Sequence, residues 1–151
     1  MFVCGPDIYD KQNITQKEKE GLLSGKVFTE IDHNYVNPIT DKYQKTIESI
    51  FSKREVWVSS GGDTRSYETP ESVFNEYMTH SIFCLYVLDK YSPELSDFII
   101  QKRESLMADG GHYIKFKEFN RALIELYRQN KDQNAISLFP KILEWCKSSL
   151  K

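Results

Sequence analysis

Two three-residue signals, Thr69-Pro70-Glu71 and Ser92-Pro93-Glu94, constrain what this chain can fold into more than anything else in it. Each offers a hydroxyl to an exposed backbone N–H, a proline whose fixed φ suits a first helical turn, and an acid that the helix dipole favours. They predict one helix from Thr69 to about Tyr91 and another from Ser92 to a stop at Gly110-Gly111. Thr15-Gln16-Lys17-Glu18 is a capping-box pattern opening a short helix that Gly25 is expected to end. The next helix is expected from about Lys26 to Tyr35, stopped by Asn37-Pro38, because proline disfavours α geometry in the residue before it. Thr40-Asp41 caps a third, with Tyr43, Ile47, Ile50 and Phe51 as its apolar stripe. Further helices are expected over roughly Phe116 to Gln129 and Ala135 to Leu150, with Pro140 in the first turn or at a kink. Only Val56-Trp57-Val58 reads as a strand, and Ser59-Ser60-Gly61-Gly62-Asp63 reads as an exposed loop. The expected class is mainly α with a small β remnant.

A chain of 151 residues fits one domain and is long enough to bury a core. It is 40% hydrophobic and 28% charged, the balance of a globular chain rather than a disordered one. A net charge of -2 gives no electrostatic case for nucleic acid or an anionic membrane as partner. No apolar run approaches the roughly 20 residues of a membrane span. The opening Met1-Phe2-Val3-Cys4 lacks the basic start and apolar core of a secretory signal and reads as if it began inside a fold, so a piece of a longer parent is expected. Cys4, Cys84 and Cys146 are odd in number, widely spaced and without a C-x-x-C pair, which argues against a zinc ribbon and a disulfide framework. Cys84 and Cys146 fall in apolar helical patterns and are expected to act as small buried hydrophobes, and helical spacing assigns most aromatic residues to the core.

The chemistry-bearing stretch is Thr29-Glu30-Ile31-Asp32-His33. In H-E-x-x-H two histidines four apart project from one helix face to one zinc ion, and the intervening glutamate takes a proton from the metal-bound water. Here Thr29 occupies the first histidine's place. A threonine hydroxyl is neutral and hard to deprotonate, so it replaces imidazole poorly. A second histidine, His80, follows Glu76 by four residues in Glu76-Tyr77-Met78-Thr79-His80. The Glu-x-x-His spacing of Glu30 and His33 also occurs in di-iron bundles, but those require a second copy, which the chain lacks. As ordinary features, Glu30 with His33 and Glu76 with His80 are solvated helix-surface pairs worth about 0.3 kcal/mol each.

Thr29-Glu30-Ile31-Asp32-His33-Asn34-Tyr35-Val36-Asn37-Pro38 resembles the H-E-F-x-H-x-F-x-N-P stretch of uncharacterised bacterial zincin-like domains, metallopeptidase-like and of the glutamate-ligand type. Glu30, His33, Asn37 and Pro38 match, while Ile31 and Tyr35 stand in for the two phenylalanines. The helix with Asn75-Glu76 is similar to the third-ligand segment, so the likeness spans about Val27 to Tyr91. It implies a zincin-like helical domain over residues 1–151, with Glu30 as general base and His33 and Glu76 as metal ligands. His112-Tyr113 stands where such domains use a downstream His or Tyr on the oxyanion, which implies a role for Tyr113. With Thr29 in place, zinc binding and hydrolysis are expected to be impaired or absent. Two rearrangements are open: His80 joins His33 around one ion, or Glu30 itself becomes a ligand. The alternative is a helical interaction module without catalysis, binding a peptide or protein.

Overall fold

The computed structural model describes residues 12–130 and 134–150, with the side chains at 62 and 63 outside that description. Cys4 lies outside the described residues. The described chain is mainly helical: α1 (Gln16–Thr40), α2 (Gln44–Phe51), α3 (Arg54–Trp57), α4 (Pro70–Lys90), α5 (Pro93–Ser105), α6 (Phe116–Gln129) and α7 (Phe139–Ser148). Short 3-10 turns occupy Asp41–Tyr43, Gly62–Ser66 and Ala135–Leu138, and a π turn spans Leu106–Gly110.

The start signals at Thr15 and Thr69 act as their chemistry predicts, whereas Ser92 begins its helix without a side-chain cap bond and Thr40, the last residue of α1, caps none. Thr15 and Glu18 form a reciprocal capping box, as do Thr69 and Ser72 on either side of Pro70. Ser92 precedes Pro93 at the next helix, and the π turn brings α5 to its stop at Gly111. Pro140 sits in the first turn of α7, where its missing N–H costs nothing, and the expected single helix begins instead as the 3-10 turn.

Three expectations fail for tertiary reasons. Gly25 does not end a helix; α1 runs through it for 25 residues. A Cβ at Gly25 would lie 1.9 Å from Arg103 Nη2 and 2.9 Å from the Phe83 ring, so the glycine serves close helix approach. Pro38 falls within the last turn of α1, where one lost backbone bond ends little, and the helix reaches Thr40, whose hydroxyl donates to Asn75 of α4. Val56 and Trp57 are helical rather than extended. Backbone bonds Val56 N to Lys53 O and Val58 N to Arg54 O close that turn, and Arg54 holds it to the carbonyls of Thr64 and Tyr67. The β remnant shrinks to an isolated antiparallel bridge between Val58 and Tyr113.

The core is built around α4, which packs against α1, α2, α5 and α6. Phe74, Tyr77, Met78, Phe83, Cys84 and Val87 are buried along it. Trp57 stacks on Phe51 with centroids 4.2 Å apart and meets Tyr77 edge-on at 5.7 Å. Cys84 and Cys146 are free and buried, as expected. Polar side chains buried on a helix enclosed on so many sides cost the desolvation penalty in full if they are left unpaired. On α4 those residues include Glu76 and Thr79.

Candidate functional site

Helix periodicity assembles the site. Glu76, Thr79 and His80 share one face of α4, at offsets of three and four residues. On α1 the positions facing it recur every four residues as Gly25, Thr29 and His33. Arg103 follows Ile99 by four on α5, which puts it on that helix's buried side.

The Glu76 carboxylate lies between two imidazoles. Its Oε1 is 3.3 Å from His33 Nε2 and its Oε2 is 3.4 Å from His80 Nε2. Behind His33, the Thr79 hydroxyl is 3.4 Å from Nδ1. Behind His80, Arg103 Nη1 donates to Nδ1 over 2.9 Å. The guanidinium rests over the Phe83 ring at 4.6 Å and fills the space beside Gly25. The edge of Phe116 closes over His80 at 6.4 Å.

These neighbours divide the charge. Burial alone would raise the Glu76 carboxyl, but the two imidazoles outweigh it and hold it down at about 2. Glu76 in turn raises His33, which becomes the imidazole that accepts a proton. Burial, with the Arg103 charge beside it, lowers His80, which stays neutral. Asp32, beside His33, is coupled to the cluster through its charge alone: desolvation pushes it up to about 6, against a smaller lowering by His33, and its Oδ2 is buried without a hydrogen-bond partner.

Of the residues singled out in the sequence, His33, Glu76 and His80 come together. They do so as a partly enclosed cluster, which corrects the picture of two solvated surface pairs. Glu30 is exposed on α1 and touches the cluster only as a through-space charge on His33. Tyr113 is 2% exposed, set edge-on to Tyr77 at 5.5 Å in the aromatic core, so its phenol faces no open site. His112 adopts a left-handed φ of 65° and pairs through Nδ1 with Ser59, away from the cluster. The residue not singled out in the sequence is Arg103, and its signal was the Ile99-Ile100-Arg103 pattern placing a cation on an apolar face.

Zinc requires lone pairs converging on one point and histidines whose second nitrogen donates to an acceptor. Thr29 supplies nothing: its hydroxyl donates to the Gly25 carbonyl over 2.9 Å and lies 3.3 Å from that of Lys26. His80 is backed by a donor instead of an acceptor. Among the described residues, no three His, Cys, Asp or Glu side chains are grouped so as to hold an ion. The donor set therefore does not fit zinc. Compared with protein-family models, curated proteins and solved structures, the chain matches none.

Proposed function

We propose that this chain is a zincin-like helical domain that has lost zinc and, with it, metallopeptidase-type hydrolysis, keeping its ligand-bearing helix pair as an internal clamp. The observation that carries the reading is the meeting of His33 from α1 with Glu76 from α4, with Thr29 committed to its own helix backbone. A ligand pair surviving across two helices while the third donor is spent on a carbonyl is what loss of function at fixed architecture leaves behind. The clamp then works as structure: one buried carboxylate joins α1, α4 and, through His80, Arg103 of α5. Metal analysis of the purified chain tests this. The expected result is far less than one zinc per chain and no zinc-dependent cleavage of casein. One zinc per chain, lost in both His33→Ala and Glu76→Ala, would overturn it.

A second reading, a helical module that binds a peptide, is favoured by the outer face of α1. Val27, Ile31 and Tyr35 are 63%, 54% and 67% exposed and four residues apart, forming an apolar ridge on a solvent-facing helix. Ile31→Glu and Tyr35→Glu are expected to leave the melting temperature nearly unchanged while abolishing binding of peptides selected on the parent from a displayed random library. Peptides that bind both variants as well as the parent would remove this reading.

A further inference from the structure

Zinc is not merely unsupported at this cluster. We infer that Arg103 keeps it metal-free, by fixing His80 in the tautomer that cannot ligate beside Glu76. The inference rests on the reading of a zincin-like domain without zinc and names the residue that maintains that state.

A guanidinium has five N–H donors and no acceptor, and it stays charged at any pH the fold meets. The His80 nitrogen 2.9 Å from Arg103 must therefore carry the lone pair. In a neutral ring the proton then sits on the other nitrogen, the one 3.4 Å from Glu76 Oε2. Turning the ring over changes nothing, because whichever nitrogen faces the guanidinium must accept and the other must donate. A metal-binding histidine has the reverse polarity: lone pair toward the ion, N–H toward an acceptor behind it. Arg103 cannot swing away at little cost. It is 8% exposed, seated on the Phe83 face and packed where a side chain at position 25 would be. Its charge also stands one imidazole away from any cation between Glu76 and the histidines.

Without the guanidinium, His80 is free to move its proton to Nδ1 and turn a lone pair toward Glu76. The carboxylate sets one oxygen 3.3 Å from His33 and the other 3.4 Å from His80, each close to the spacing of two ligands in a tetrahedral shell with bonds of about 2.0–2.1 Å, and it would have to turn for both histidines to share one ion with it. His33, Glu76 and His80 would then be three protein ligands, with a fourth position open.

Two experiments on the full chain test this. Long-range nitrogen-15 NMR of the parent is expected to show His80 protonated on the nitrogen facing Glu76 and bare on the one facing Arg103; the opposite tautomer overturns the inference without any substitution. Cobalt(II) titration, followed by its visible absorption bands, then compares parent, Arg103→Met and Arg103→Lys, each checked for helical content. Arg103→Met is expected to bind about 10–100-fold more tightly than the parent, the scale on which second-shell partners tune metal affinity. Arg103→Lys should gain nothing, because an ammonium is also only a donor. A metal-free parent whose Arg103→Met variant folds and gains no affinity overturns the role given to Arg103 and leaves the metal-free reading standing. Stoichiometric zinc in the parent overturns both.

Discussion

Glu76→Ala is expected to cost about 3–5 kcal/mol, the range for removing one member of a buried ionic group and stranding its partners. The carboxylate is 5% exposed and is the anion between His33, His80 and, one imidazole further, Arg103. Taking it away leaves the two imidazoles without the carboxylate that lies between them. At about 2–4 °C per kcal/mol for a chain of this size, the melting temperature should fall by roughly 6–20 °C. The penalty should depend on pH in a definite direction. Glu76 has its folded value held down at about 2 against an ordinary 4.5, so its contribution is present above 4.5 and is lost as pH falls toward 2. His33 is raised above its ordinary 6.5, so its contribution is present below 6.5 and is lost as pH rises through the folded value. The gap between parent and Glu76→Ala should therefore be widest between those limits. Urea unfolding at about pH 3, 5.5 and 8 reads it out. A gap that is flat across the series, or a loss below about 1 kcal/mol, would show that Glu76 is not the anchor described.

Trp57→Ala is expected to cost a similar 3–5 kcal/mol by a different route, the cavity left by a large aromatic side chain. Trp57 is fully buried, stacked on Phe51, edge-on to Tyr77 and with the Lys115 ammonium 5.8 Å from its ring. Its indole N–H donates to the Ile50 carbonyl over 3.2 Å, and that acceptor would be left unpaired. No ionisable group of the His33–Glu76–His80 cluster is involved, so the loss should be the same at every pH in the series above. A loss under about 1.5 kcal/mol, or one that varies with pH as Glu76→Ala does, would contradict this packing.

The helix starts were legible because capping is local chemistry. Thr15 with Glu18 and Thr69 with Ser72 satisfy backbone N–H groups within one turn, and Pro93 fixes the first turn after Ser92 by its φ alone. What was misread depends on distant partners. Gly25 looks like a stop until α5 arrives beside it, and Val56-Trp57 looks extended until Arg54 closes its turn onto Thr64 and Tyr67. The site divides in the same way. Glu76 and His80 are visibly one helical turn apart, and the likeness of the His33 stretch to a ligand helix paired the two segments. That Glu30 would face solvent depends on how the helices are rotated against one another, and that Tyr113 would face the core depends on its bridge to Val58, neither of which spacing alone fixes. Arg103 escaped because a single cation among the polar residues of α5 looks like surface.

The bare backbone at Gly25 also has a consequence for heredity. Any side chain there unseats the guanidinium across from it, and any shortening of that guanidinium leaves a hole against the helix. The two positions, 78 residues apart in sequence (103 less 25), thus share one space, and substitutions at them are expected to be non-additive.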